Sequence, residues 1–123
     1  MTSLRRSKYR CWDVVLVPFP YTDRARARVR PAVVVSSAAL SDATSMYYVA
    51  MITNAAHESW DGDVPVSDLR ATGLPVASVV RPAKIATIDE RSLIRAIGIL
   101  PAVDREQVST AINSFLAFRS EAP

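Results

Sequence analysis

Apolar residues fall in short runs along this chain, separated by proline, glycine, aspartate and serine. Runs that are rich in valine and isoleucine and bounded in this way are typical of β-strands. The sequence predicts strands at residues 12–18, 31–37, 46–52, 63–66, 77–81, 84–88 and 93–100. The continuous apolar run at 46–52 indicates a strand covered on both faces. Pro31 fits the first position of its strand, and Pro65 confines its strand to a sheet edge.

Helical periodicity is clear only near the C-terminus. There the apolar residues share one helix face: Val108, Ala111, Ile112, Phe115 and Leu116. Asp104 is the predicted N-cap, with Gln107 in the capping-box position. Residues 67–73 have the pattern of a helical turn, with Ser67 as N-cap and Gly73 as the stop, and residues 37–45 hold at most one more turn. Six or seven short strands and one amphipathic C-terminal helix predict a mostly β fold, a small, curled antiparallel barrel.

The length of 123 residues fits one domain, which we place at residues 12–120 after a basic and poorly ordered N-terminal tail at 1–11. No apolar run approaches the ~18 residues of a membrane span. The tail has no apolar segment after its cations, so it is not a secretory signal. One cysteine and one histidine exclude a disulfide framework and a His/Cys zinc cluster. We therefore expect a cytoplasmic protein without a metal site or cofactor.

Charge is distributed unevenly along the chain. Eight of the fifteen cations precede Pro31, against only Asp13 and Asp23, which gives this region a local excess of +6. Thirteen of the fifteen cations are arginine, the cation better suited to bidentate phosphate contacts. Between the first two predicted strands, four arginines alternate with small residues: Arg24, Arg26, Arg28 and Arg30. This loop suits a phosphate-bearing partner, and the alternative is a solvated basic loop.

Two aromatic residues, Phe19 and Tyr21, lie beside this basic loop. Aromatic side chains next to cations can stack on unpaired nucleobases. The alternative is a hydrophobic plug under the loop.

Most catalytic constellations are absent from the sequence. A Ser/His/Asp or Cys/His arrangement would have to use His57, and no nucleophile elbow accompanies it. Three scattered glycines allow neither a P-loop nor a dinucleotide fingerprint. Arginine and hydroxyl groups remain, and they can serve attack of an RNA 2′-hydroxyl on the adjacent phosphate. Arg30 could clamp the phosphate and Thr53 could orient the hydroxyl, although a threonine that ends a strand is often structural.

A set of motifs in a fixed order resembles the PemK/MazF family of bacterial toxins. The motifs are Trp-Asp-Val-Val-Leu-Val-Pro-Phe-Pro-Tyr-Thr-Asp (12–23), Arg-Pro-Ala-Val-Val-Val-Ser (30–36), Met-Ile-Thr (51–53), Gly-Leu-Pro (73–75), Ser-Val-Val-Arg (78–81), Lys-Ile-Ala-Thr-Ile-Asp (84–89) and Ile-Gly-Ile-Leu (97–100). The resemblance covers about residues 12–117. One departure is Trp12, where the family usually has glycine.

The resemblance implies an SH3-like antiparallel barrel with a C-terminal helix, assembled as a homodimer. It also implies metal-independent cleavage of single-stranded RNA, growth arrest, and neutralisation by an antitoxin with a disordered acidic or amphipathic tail. The family's catalytic arginine and threonine correspond to Arg30 and Thr53. Further RNA contacts are expected from Arg28, Ser78, Arg81, Phe19, Tyr21 and His57. The alternative is a non-catalytic barrel of the same fold, either a gyrase-poisoning toxin or an antitoxin-binding module.

Overall fold

A computed structural model describes residues 6–19 and 28–118 of the chain. These residues form six strands: β1 Asp13–Phe19, β2 Arg28–Val34, β3 Met46–Asn54, β4 Val64–Pro65, β5 Ser78–Asp89 and β6 Arg95–Ile99. They also form three helices, α1 Ala38–Thr44, α2 Leu69–Thr72 and α3 Ala102–Phe115. The strands make one curled sheet in the order β4-β5-β3-β2-β1-β6, with every neighbouring pair antiparallel. The predicted mostly β fold with a C-terminal helix is confirmed.

The sheet is covered on both faces because alternate residues of its strands enter two separate clusters. One cluster, which defines the Tyr47 face, contains Val15, Val17, Ala32, Val34, Tyr47, Val49 and Met51. The other, which defines the Val108 face, contains Val14, Val33, Ala50, Ile52, Val80, Leu100 and Val108. Strand β3 supplies buried residues to both clusters, as its continuous apolar run predicted. Within the described residues, no helix is long and apolar enough to cross a membrane.

Strand β2 starts earlier than its sequence predicted. It begins at Arg28, so Pro31 lies inside the strand, opposite Leu16 of β1, and not at its first position. The register between β2 and β3 begins only at Ala32. The missing donor of Pro31 therefore costs no ladder bond on the β3 side, which is why the proline is tolerated.

Strand β5 is one long strand where two were predicted. Its register with β3 shifts between Ala50, which pairs with Ile85, and Met51, which pairs with Arg81. Residues 82–84 are therefore extra on the β5 side and form a bulge. Pro82 made a break between two strands the natural prediction, but a bulge accommodates a residue without a backbone donor.

The helix ends also correct two predicted caps. Asp68, and not Ser67, caps α2 by accepting a hydrogen bond from the Ala71 N–H at 3.0 Å. Helix α3 begins after Pro101, and the buried Asp104 carboxylate instead accepts hydrogen bonds from the N–H and hydroxyl of Ser67 at 2.9 and 3.0 Å. Asp104 therefore ties α3 to the segment that leads into α2. Helix α1 has seven residues, longer than the single turn expected.

Gly73 ends α2 as predicted, with a φ of 73°. A Cβ atom there would lie 2.2 Å from the carbonyl oxygen of Ile97, so both the backbone angle and the close approach to β6 require glycine. Trp12 has a φ of 77° as well. Its N–H donates to the Val34 carbonyl at 2.7 Å and its carbonyl accepts from the Leu100 N–H at 2.9 Å. A left-handed backbone at a residue other than glycine costs about 1–2 kcal/mol, which these two hydrogen bonds help to offset.

The end of the N-terminal tail is packed, which corrects the expectation that it is poorly ordered up to residue 10. Tyr9 is buried, and its ring makes an edge contact with Tyr47 at 5.6 Å between centroids. The Tyr9 N–H donates to the Tyr47 hydroxyl at 3.2 Å, and the Lys8 N–H donates to Glu90 at 3.1 Å. Burial and the hydrogen bond to Glu90 raise the pKa of Tyr47. Residues 7–10 therefore belong to the packed domain.

Candidate active site

Strand alternation brings polar residues together at one end of the Tyr47 face. Arg30 and Thr53 each continue a row of alternate strand residues whose other members lie in the Tyr47 cluster. In this way Arg30 continues the row of Ala32 and Val34, and Thr53 continues the row of Val49 and Met51. The side chains placed there are Phe19, Arg28, Arg30, Thr53, Arg81 and Lys84. They lie beyond the edge of the apolar cluster, at the place where the sheet face turns from apolar to polar.

Arg30 and Thr53 lie beyond the same end of the β2–β3 ladder. The last pair of that ladder is Ala32 with Met51, and each of the two residues lies two positions beyond it on its own strand. Both line a pocket of about 240 Å³. The other lining residues are Phe19, Met51, Ile52, His57, Arg81 and Lys84. Arg30 is exposed and makes no ion pair with any residue that the structure describes, so its guanidinium is available to an anion.

His57 is held beside the Thr53 hydroxyl. Its Nδ1 atom lies 3.1 Å from Thr53 Oγ1, within hydrogen-bonding distance. The Asn54 carboxamide oxygen accepts from the Ala56 N–H at 2.8 Å, and the Asn54 carbonyl accepts from the His57 N–H at 3.0 Å. This tight turn brings the imidazole back over the strand end. An exposed loop histidine was the simplest reading of the sequence, and the structure adds a hydrogen bond to the predicted catalytic threonine.

Arg81 lines the same pocket but its guanidinium is already engaged. Nε and Nη2 donate to the two carboxylate oxygens of Asp63 at 3.0 and 2.9 Å, and Nη2 also donates to the Glu58 carbonyl at 2.8 Å. The guanidinium carbon lies 4.3 Å from the centroid of the Trp60 ring. With 8% of its surface exposed, Arg81 is a buried brace for the loop between β3 and β4. These contacts favour a structural role for Arg81 over the expected role of holding RNA phosphates.

The ion pair with Arg81 also affects the pKa of the Asp63 carboxyl group. Burial raises its pKa, but the hydrogen bonds from Arg81 and from the Trp60 N–H outweigh burial and leave the pKa below its ordinary value. The pair is therefore ionised at neutral pH. It fixes the loop that carries both His57 and Trp60.

Lys84 lines the pocket but was not among the site residues predicted from the sequence. The bulge at 82–84 changes the phase of β5, so Arg81 and Lys84 both face the pocket although three positions separate them. Lys84 Nζ lies 4.4 Å from the centroid of the Phe19 ring, a cation–π contact. Phe19 also packs against the Tyr47 cluster. Phe19 therefore supports a cation and the core, which is closer to the plug that the sequence allowed than to an open stacking surface.

Three other predicted site residues have different placements. Arg28 is exposed and pairs with Phe19 on the polar end of the Tyr47 face. Ser78 lies on the opposite face, buried, with its hydroxyl donating to the Val76 carbonyl at 2.8 Å. It does not line this pocket, because it faces the other side of the sheet from Arg81, but it lines an adjoining groove that also contains Arg30 and Thr53. Tyr21 lies outside the described residues.

A second groove of about 340 Å³ adjoins the first and shares Arg30 and Thr53 with it. Its walls are mostly apolar: Leu16, Val29, Pro31, Leu74, Pro75, Val76 and Ile97. Within residues 6–19 and 28–118, no three His, Cys, Asp or Glu side chains are grouped so that they could hold a metal ion. The two grooves thus offer one polar and one apolar surface on either side of the Arg30–Thr53 pair.

Comparisons with known proteins agree with this fold. Residues 10–116 match the family described as PemK-like, MazF-like toxin of type II toxin-antitoxin system. No curated protein sequence matches the chain. An endoribonuclease in complex with its cognate antitoxin from a mycobacterial species has a similar fold, with a TM-score of 0.72 and 16% identity over 92% of this chain and 99% of that chain.

Two further structures are similar. The Mycobacterium tuberculosis toxin MazF-mt6 has a TM-score of 0.67 and 25% identity, over 84% of this chain and 95% of that chain. A MazE-MazF structure from Deinococcus radiodurans has a TM-score of 0.72 and 23% identity, over 90% of this chain and 98% of that chain. Since the family match spans most of its length, this chain belongs to the PemK-like, MazF-like toxins of type II toxin–antitoxin systems.

Proposed function

We propose that this toxin is a metal-independent endoribonuclease that cleaves single-stranded RNA in the cytoplasm. The observation that carries the proposal is that Arg30 and Thr53 line one pocket. The Arg30 guanidinium makes no ion pair within the described residues, and the Thr53 hydroxyl lies within hydrogen-bonding distance of His57. The nucleophile is the 2′-hydroxyl of the RNA. The protein then has to align it, accept its proton and stabilise the charge that develops on the phosphate.

In the proposed reaction, the 2′-oxygen attacks the adjacent phosphorus and the bond from phosphorus to the 5′-oxygen breaks. The Thr53 hydroxyl takes the 2′-hydroxyl proton as it passes its own proton to Nδ1 of neutral His57. Arg30 donates hydrogen bonds to the phosphate oxygens while the additional negative charge is present. A guanidinium with a pKa above ~12 is a poor proton donor, so water protonates the departing 5′-oxygen. The products are a 2′,3′-cyclic phosphate and a 5′-hydroxyl.

A cognate antitoxin is the expected inhibitor. The apolar second groove adjoins the basic pocket, so an amphipathic acidic tail can place apolar side chains in the groove and carboxylates near Arg30. A tail bound in this way covers Arg30 and Thr53 together. RNA and antitoxin therefore compete for the same residues.

The toxin is also expected to act as a homodimer. The chain itself buries Val108 and most of β3, whereas Phe115 and Leu116 near the end of α3 remain about half exposed. Apolar side chains that remain about half exposed include Ile94, Ile99 and Val103, on and beside the edge strand β6. We place the dimer contact there, because an open strand edge with apolar neighbours favours association.

The test is incubation of the purified toxin with a long single-stranded RNA in the presence of EDTA, followed by analysis of the new ends. We expect cleavage, with 5′-hydroxyl and 2′,3′-cyclic phosphate ends. Ends that carry a 5′-phosphate, or cleavage that EDTA abolishes, would contradict the mechanism. A folded protein that leaves RNA intact but arrests growth would favour the non-catalytic alternative.

A further inference from the structure

Trp60 has no role in the reaction proposed above, yet its indole is held in a fixed position beside the pocket. We infer that Trp60 is a stacking platform for one unpaired nucleobase that flanks the cleaved phosphate, an inference that rests on the proposed RNA substrate. Aromatic side chains on which bases stack are a general device for holding single-stranded nucleic acid. Trp60 is 45% exposed, which is a large exposure for an indole beside a polar pocket.

The ring is braced from below and through its backbone. Arg81 lies 4.3 Å from the ring centroid, and this guanidinium is itself fixed by the bidentate pair with Asp63. The Trp60 N–H donates to Asp63 Oδ2 at 2.9 Å, and the Trp60 carbonyl accepts from the Asp63 N–H at 3.2 Å. A side chain ordered before binding loses little conformational entropy when a ligand arrives. These contacts distinguish Trp60 from an exposed aromatic side chain that is free to change its rotamer.

The bracing residue also sets the position of the platform. Arg81 pairs with Met51, which precedes Thr53 by two residues on the same face of β3. Arg81 and His57 both line the pocket that holds Arg30 and Thr53. Trp60 therefore packs against a residue of the pocket wall, on the β5 side. An RNA whose phosphate lies between Arg30 and Thr53 brings a neighbouring nucleotide to this side of the pocket.

The chemistry predicts how the platform reads RNA. One side of the indole faces Arg81, so a nucleobase that stacks on the exposed side completes a layered arrangement of guanidinium, indole and base. Stacking uses the face of the base and not its hydrogen-bonding edge, so it tolerates any of the four bases. Trp60 then contributes affinity at one nucleotide position without selecting its identity.

The test measures binding without cleavage. In the full chain carrying Thr53→Ala, the affinity for a short single-stranded RNA that contains a mapped cleavage site is compared with and without Trp60→Ala. We expect Trp60→Ala to weaken binding about 5- to 150-fold, the range for loss of one base stack. Trp60→Phe keeps a ring and should retain most of the affinity. Tyr48→Ala is the matched control, since Tyr48 is 44% exposed and lies at the opposite end of β3.

A set of RNAs with one abasic nucleotide each identifies the base. One abasic position should weaken binding to the chain that has Trp60 and have no further effect with Trp60→Ala. Equal affinity of the chains with and without Trp60, or abasic losses that are unchanged by Trp60→Ala, would overturn the platform. Loss of affinity in Trp60→Phe as large as in Trp60→Ala would assign Trp60 to loop support and also overturn it. These outcomes concern bound RNA, so they are separate from the failure of the proposed function, which is RNA left uncut by the unmodified toxin.

Discussion

The hydroxyl oxygen of Thr53 and Nδ1 of His57 lie 3.1 Å apart at the end of β3. If the imidazole accepts a proton through Thr53, His57→Gln should lower the saturated cleavage rate about 100-fold, the usual order for loss of a general base. Glu58→Gln alters the next exposed side chain and is the control. An unchanged saturated rate in His57→Gln would remove His57 from the mechanism.

The Arg30–Thr53 pair predicts large losses of activity with little loss of stability. Arg30→Ala should lower the cleavage rate about 100- to 1,000-fold, the cost of removing one donor to transition-state charge. Thr53→Ala should be similarly slow. Both variants should relieve growth arrest and unfold near the temperature of the unmodified chain, since Arg30 is exposed and unpaired within the described structure. Arg70→Ala, which removes an exposed cation from α2, should leave cleavage unchanged.

The Arg81–Asp63 pair predicts a stability that depends on pH. The folded pKa of Asp63 is lowered, so the pair stabilises the fold above the unfolded pKa of about 3.9. That contribution is lost as the pH falls through the folded pKa. Asp63→Asn should therefore cost about 3 kcal/mol at pH 7, because it leaves Arg81 buried without its partner. Urea unfolding should show a much smaller difference in acid.

Arg91→Gln is the control for this pair. It breaks the ion pair with Asp89, but the Arg91 side chain is 89% exposed and solvent screens the pair, so the free energy of unfolding should hardly change. A cost for Asp63→Asn that stays constant from neutral to acid pH would show that the loss is steric and not electrostatic.

Lys84 should contribute to RNA affinity and not to the chemical step. Lys84→Gln removes one cation from the pocket, so the log–log dependence of affinity on salt should become shallower by about one. The cleavage rate at saturating RNA should barely change, because uniform binding affects KM alone. Arg70→Gln, on the exposed side of α2, serves as the control. A fall in the saturated rate as large as in Arg30→Ala would place Lys84 among the catalytic groups.

The assembly prediction concerns the edge strand β6. Sedimentation at micromolar concentration should show a dimer, and Ile99→Asp should shift it towards monomer, since Ile99 is 52% exposed at the end of that strand. Tyr48→Asp places a charge at an equally accessible aromatic away from β6 and should leave the dimer intact. A monomer in the unmodified chain would contradict the expected assembly.

The strands and the C-terminal helix could be predicted because their signals are local. Valine-rich runs fix β1, β2 and β3 to within a few residues, and the motifs around Arg30 and Thr53 carry the family resemblance. The boundaries of β2 and β5 were missed because both contain a proline, which has two readings: a strand end, or a place in the ladder where no donor is needed. Only the pairing with neighbouring strands decides between these readings.

The site was less predictable because side chains meet there across long stretches of chain. Nothing near Arg81 in the sequence indicates that Asp63 neutralises its charge. Arg81 was therefore predicted to be a cation that binds RNA. Ser78 was assigned to the site from its motif, and strand alternation places it in the second groove and not in the pocket with Arg81. Tyr9 looked like part of a solvated tail until Tyr47 supplied a partner. The turn formed by Asn54 is the one local signal that could have placed His57 on Thr53.

The bulge divides β5 into two segments, each of which pairs with β3 in its own register. Residues 78–81 and 85–89 keep their β3 partners whatever number of residues lies between them, provided the excess can loop out. Removal of residues 82–84 would leave every one of those pairings in place and delete only the stretch that carries Lys84. Lys84 therefore lies in a segment that makes no pairing with β3. Insertions or deletions at this point should change the affinity of the toxin for its substrate and leave its unfolding temperature nearly unchanged.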